Sequence, residues 1–139
     1  MILSQKSLAL GILVAVSACA QPRPEAQILR SCGPLDGSAF EVGVPDGDRT
    51  IRLMGPGWPE GENAVFAIDP EDRTEDVSIY RCTERGDECE RAASGSFVLT
   101  QAEAGSFSGT LQAVFAEAGS RRIAFTAFAD EDAEPEICG

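Results

Sequence analysis

From residue 38 onward, apolar side chains recur at every second position in short stretches, and clusters of glycine, proline and aspartate separate those stretches. Period-two alternation of this kind marks half-buried strands, because successive side chains of an extended chain point to opposite faces. It predicts strands over Ser38–Val44, Thr50–Met54, Asn63–Ile68, Asp76–Cys82, Gly95–Gln101, Ser106–Phe115 and Arg121–Phe128. The breaks carry turn chemistry: Pro45-Asp46-Gly47-Asp48, Gly55-Pro56-Gly57, Pro59-Glu60-Gly61 and Glu117-Ala118-Gly119. Helical pieces such as Gln101–Ala104 and Ala116–Ala118 are too short to stand alone and fall where turns are needed.

The last three strands have the clearest pattern. Phe107, Gly109, Leu111, Ala113 and Phe115 form one face, opposed by Ser106, Ser108, Thr110 and Gln112; Ile123, Phe125 and Ala127 continue the apolar face, and Phe97 and Leu99 supply the neighbouring strand. A slip of one residue would turn these sets outward, so the register of this C-terminal meander is fixed by its core face. About seven strands in one small chain predict an all-β domain. The architectures consistent with it are an antiparallel β-sandwich, the immunoglobulin-like form among them, or a small barrel. The Cys–Trp–Cys pattern of immunoglobulin domains is not evident, since Trp58 lies in a Gly/Pro-rich loop.

The N-terminus follows other rules. Lys6 precedes an apolar run, Leu8 to Val16. A transmembrane helix needs roughly 20 apolar residues, so this run is too short to span a bilayer and reads as the core of a signal peptide. Val16-Ser17-Ala18-Cys19 follows, and it resembles the lipobox of bacterial lipoproteins, an aliphatic residue and two small ones before a cysteine. The resemblance implies that the Cys19 thiol receives diacylglycerol, that the bond Ala18–Cys19 is cut, and that the new N-terminus is acylated. On that basis residues 1–18 are the signal, 19–27 a lipidated tether with Pro22 and Pro24, and 28–139 a disulfide-stabilised β domain. Ala20, where enterobacterial lipoproteins retained at the inner membrane carry aspartate, implies the outer membrane in a Gram-negative host. Gly95-Ser96-Phe97, Ser108-Gly109-Thr110 and the late Cys138 loosely resemble small uncharacterised envelope lipoproteins, a resemblance that brings no function with it.

The cysteines fit this account. There are 5, an odd number, and an exported chain seldom leaves one thiol over. With Cys19 given to the lipid, Cys32, Cys82, Cys89 and Cys138 form an even set with three possible connectivities. Cys82 and Cys89 flank a polar stretch of hairpin-loop composition with Gly86-Asp87 at its centre, so they are expected to pair across a hairpin, leaving Cys32 for Cys138. On a chain-entropy account the small loop is worth about 2.5 kcal/mol and the long one nearly ~5 kcal/mol. A structural zinc site would want Cys-x-x-Cys spacing or histidine, and neither is present.

Charge narrows the chemistry further. The chain has a net charge of −12 and no histidine, and Lys6, its one lysine, lies within the signal. Triads built on histidine and lysine-based covalent catalysis are therefore absent from the mature domain. The acidity repels nucleic-acid phosphates and anionic lipid, leaving the acyl anchor as membrane contact and a basic protein as the partner that charge would favour. Acidic clusters at Asp46 with Asp48, from Asp69 to Asp76 and from Asp130 to Glu136 raise calcium binding, with Asp46 and Asp48 the best placed, but none has the EF-hand spacing. No cofactor is called for. Gly105-Ser106-Phe107-Ser108-Gly109 puts phenylalanine where a nucleophile elbow needs serine. Trp58 is either a plug over one end of the fold or an exposed aromatic anchor for a partner.

The expectation is a monomeric, membrane-anchored envelope lipoprotein acting as a binding or structural module rather than an enzyme. The alternatives are an inhibitor of a basic host enzyme such as lysozyme and a carboxylate-based hydrolase.

Overall fold

A computed structural model describes residues 22–34, 37–71, 76–130 and 137–138, and alternation organises all of its regular structure. Nine strands run through these residues: β1 (Glu25–Cys32), β2 (Ser38–Asp46), β3 (Arg49–Pro56), β4 (Ala64–Ala67), β5 (Ser78–Thr83), β6 (Cys89–Arg91), β7 (Ser94–Glu103), β8 (Ser106–Phe115) and β9 (Gly119–Ala129). The seven strands expected from the pattern are all present. β1 and β6 are additions. β6 is too short to carry a pattern, and the alternation of β1 is interrupted by Leu29 beside Arg30. The sheet begins at Glu25, inside the stretch expected to be tether, because Ala26 has a place in the core and β1 finds a neighbour on each side.

The strands form one curled, mixed sheet in the order β4-β7-β8-β9-β1-β2-β3-β5-β6, a half-barrel rather than two stacked sheets. Its pairings are antiparallel except between β1 and β9, where Glu25 to Ile28 lie beside Thr126 to Ala129 in parallel. That pairing joins two local units, β2-β3-β5-β6 on one side and the β7-β8-β9 meander with β4 on the other. The disulfide Cys32–Cys138 reinforces the junction, since it ties the end of β1 to the segment beyond β9. The second disulfide, Cys82–Cys89, closes the β5–β6 hairpin across a directly paired position. Both bonds have the expected connectivity.

The concave face is apolar throughout. Ile28 from β1, Val42 and Val44 from β2, Ile51 and Leu53 from β3, Ile79 from β5, Leu99 from β7 and Leu111 from β8 are all fully buried. Phenylalanines hold the curl. Phe66 of β4 meets Phe40 of β2 edge-on at 4.9 Å and stacks on Phe97 of β7 at 5.0 Å, so rings from the two units touch across the interior. Such contacts contribute about 0.5–1.5 kcal/mol each beyond the area they bury.

Two glycines make the curvature possible. Gly55 sits directly opposite Phe40 on neighbouring strands, and Gly109 sits opposite Phe125. A Cβ at Gly109 would lie 2.3 Å from the Phe125 ring, and one at Gly55 would lie 2.6 Å from the Phe40 ring. In each pair the ring covers the glycine, and the bare backbone lets the sheet bend sharply there.

The seam between the edge strands β4 and β6 is stitched at both ends. At one end the loop after β3 crosses it, with Gly57 N–H donating to Ser38 O and Gln101 N–H donating to Gly61 O. At the other end residues 92 and 93 step over it, with Ala92 N–H donating to Ile79 O of β5 and Ala93 N–H to Val114 O of β8.

Gly109→Ala is expected to destabilise the domain by about 1–3 kcal/mol through overpacking, measured by urea or thermal unfolding. Adding Phe125→Leu, which replaces the opposing ring by a smaller side chain, should recover part of the loss. A neutral Gly109→Ala would show that the Phe125 ring does not need the glycine.

Candidate functional site

The two ends of the half-barrel hold the side-chain chemistry that the sequence singled out, and they are built differently. At the end formed by the β2–β3, β5–β6 and β8–β9 turns, Asp46 closes the interior. It is the last residue of β2, and its side chain is 19 % exposed. Arg81 of β5 donates through Nε to Asp46 Oδ2 at 2.8 Å, and Arg121 of β9 does so at 3.2 Å. Arg121 also donates through Nη1 to the carbonyls of Ala118 and Ser120, which ties it to its own turn. That turn closes on Gly119 with φ 76°, the left-handed position that ends a three-residue hairpin loop. One carboxylate thereby links strands from both units of the sheet.

Burial by itself would push the Asp46 carboxyl up, but hydrogen bonds from Arg81 and Arg121, together with their charges, outweigh it and bring it below the ordinary value of 3.8. Asp46 is thus favoured as the anion. The arginines weigh against the turn as a calcium site. A cation at Asp46 would have to displace two guanidinium groups, and Asp48 stands exposed in the β2–β3 turn. No group of three or more metal-binding side chains assembles among the described residues. The clusters from Asp69 to Asp76 and from Asp130 to Glu136 lie partly outside them.

A shallow depression of about 340 Å³ opens beside Asp46, lined by Arg49, Arg81, Glu88, Glu90 and Glu117. Glu90 is engaged there, accepting the Glu117 backbone N–H at 2.6 Å. On the convex face of β2 and β3, Glu41 and Arg52 form a two-pronged pair at 2.7 and 2.9 Å. The arginines of this region are therefore largely turned inward on the protein's own carboxylates.

The opposite end is aromatic. Trp58, in the loop after β3, is half-buried and packs edge-on against Phe107 at 5.8 Å. Arg30, near the end of β1, lays its guanidinium 4.2 Å from the centre of the indole ring. Pro59 beside it is buried. Of the two readings of Trp58, the packing favours the plug. Arg30 covers much of what an anchor would have to present.

The chain enters the sheet along its wall, away from either end. Pro24 O accepts the Thr126 N–H of β9 at 3.1 Å, and Arg23 Nη1 donates to Ser108 Oγ of β8 at 3.0 Å. Cys19, with the signal residues 1–18, lies outside the described residues. Cys32, Cys82, Cys89 and Cys138 are structural, each consumed in a disulfide. Arg30, Arg81 and Arg121 are what sequence reasoning missed. Each lies far along the chain from the group it contacts, and no local pattern marks it.

No family model matches the chain, and neither a curated protein nor a solved structure matches it.

Two predictions follow the two ends. Asp46→Asn should cost about 1–3 kcal/mol at neutral pH, since it weakens two charge-assisted hydrogen bonds. Because the folded pKa is depressed, the stabilisation is present above the unfolded value of 3.8 and is lost as pH falls through the folded one. The gap between wild type and variant should therefore close as melts are taken from pH 6 towards about pH 2; a constant gap would mean that the carboxylate charge is not what matters. At the other end, Trp58→Ala should lower stability by roughly 2–3 kcal/mol, less than a fully buried ring, while Trp58→Phe keeps most of it. An unchanged melting temperature for Trp58→Ala would return the residue to the role of exposed anchor.

Proposed function

We propose that this chain is an envelope lipoprotein, held in a membrane by acyl groups on Cys19, whose β domain acts as a monomeric binding or structural module. The observation that carries the reading is the pairing of the other cysteines. Cys32 bonds Cys138 and Cys82 bonds Cys89, so of the 5 cysteines Cys19 has no cysteine partner left within the chain. It also stands in the one segment that resembles a lipobox. Disulfides persist in oxidising compartments, which suits an exported domain.

The charge suggests the kind of partner. The net charge is −12, while Arg52, Arg81 and Arg121 are paired with the protein's own carboxylates and Arg30 lies on Trp58. The excess negative charge is left to act on the surroundings, where it attracts a basic protein and speeds encounter with it. Inhibition of a basic enzyme such as lysozyme is the sharpest form of that reading. Asp46, the carboxylate most firmly held by arginine, suits a fixed anion better than a general acid, so the hydrolase reading gains nothing from it. The acyl chains bring stable anchoring, since two or more are needed for a protein to stay on its membrane.

The intact mass of the membrane-extracted protein tests the proposal. The expected species begins at Cys19, is heavier by its acyl groups and is lighter by the hydrogens lost to two disulfides. An unmodified Cys19 would overturn it.

A further inference from the structure

We infer that the domain lies on its side against the bilayer, with the convex wall of β8, β9 and β1 facing the lipid and Leu29 and Phe128 seated at the interface. The inference rests on lipidation of Cys19 and adds to it the surface that touches the membrane.

The first support is chain length. Pro24 continues the β1–β9 ladder through the Thr126 N–H, and the Arg23 side chain lies on the convex side of the wall. Ser108 and Thr126, which they contact, are directly paired and alternate with the buried Phe107 and Phe125. From Cys19 to Pro24, the first residue held through its backbone, the chain advances five residues, and an extended chain spans at most ~3.6 Å for each, so at most about 18 Å separates the acyl anchor from the wall. A tether that short holds the domain close to the headgroups. It brings the wall that carries Arg23 down onto them.

The second support is what the wall presents. Phe128 on β9 and Leu29 on β1 are 44 % and 42 % exposed. Phe128 is paired with Gln27, two residues before Leu29, so the two apolar side chains are diagonal neighbours on one convex surface. Ile137, 96 % exposed, precedes the cysteine that the disulfide holds at the end of β1. Around them the outward positions are mixed: Gln27, Ser106, Ser108 and Thr126 are uncharged, while Glu41, directly paired with Leu29, is bound to Arg52. Arg23 adds a cation, and Glu25 and Asp130 flank the patch. In a chain this acidic, charge does not draw the domain to an anionic surface, and exposed apolar side chains are what the wall contributes to contact with the bilayer. Aromatic and aliphatic groups of this kind favour the boundary between headgroups and acyl chains. With this wall on the lipid, the seam between β4 and β6 faces away from it, and Trp58 and Asp46 point along the membrane.

Lipidated full-length protein in vesicles of phosphatidylethanolamine and phosphatidylglycerol tests the orientation by quenching with bromine-labelled lipid. In a Trp58→Phe background, a single tryptophan is introduced by Phe128→Trp, by Leu29→Trp or, on the edge strand β4, by Val65→Trp. The first two should be quenched about threefold more strongly than the third, as expected for groups at the acyl boundary. Positions 29 and 128 report the same wall independently, so failure of one variant to fold leaves the other. Equal quenching at all three positions in protein whose mass shows an acylated Cys19 overturns the orientation alone. An unacylated Cys19 overturns it together with the lipoprotein reading.

Discussion

The curl of the sheet depends on a phenylalanine lying over a glycine. Phe40 opposite Gly55 and Phe125 opposite Gly109 place the bulkiest side chain of one strand against the barest position of the next. A flat sheet of nine strands would leave its apolar face in water, at a cost proportional to the area exposed. Bending at these two places lets that face close on itself, so that one sheet does the work of two stacked ones. Phe66 and Phe97 then complete an aromatic cluster reaching from one unit of the sheet to the other.

Once the curl exists, both ends and the central junction must be closed, and each is closed by a different kind of interaction. Charge closes one end, where Asp46 accepts from arginines of β5 and β9. Trp58 under Arg30 closes the other. The junction relies on the parallel pairing of β1 with β9, a pairing between segments about as far apart in the chain as any two strands here, and the Cys32–Cys138 bond removes much of the entropic cost of such a long closure. The N-terminal strand is therefore the keystone of the sheet. The same strand receives the tether, so on the proposed reading the acyl anchor is attached to the stiffest part of the fold, and the domain's attitude on the membrane is set by a wall instead of a loop.

The same arrangement turns several of the domain's arginines to internal use. Its arginines serve as internal ties to carboxylates, to an indole ring and to backbone carbonyls. What remains outward includes the excess negative charge and exposed apolar side chains, Leu29 and Phe128 among them.

The sequence by itself determined the strands whose neighbours lie close along the chain. Alternation in Phe107 to Phe115 and Ile123 to Ala127 dictates a meander in one register because any other would expose the core face, and the hairpin around Gly86-Asp87 predicts the pairing of Cys82 with Cys89. Only the tertiary structure decided that one sheet curls instead of two stacking, that β1 begins at Glu25 and runs parallel to β9, and that Asp46 meets the guanidinium groups of Arg81 and Arg121. The physical reason is range. Turn chemistry and periodicity act over a few residues and leave their mark locally. Contacts such as Asp46 with Arg121, or Arg30 with Trp58, depend on how the whole sheet bends, and the glycines that permit the bend carry no side chain to announce it.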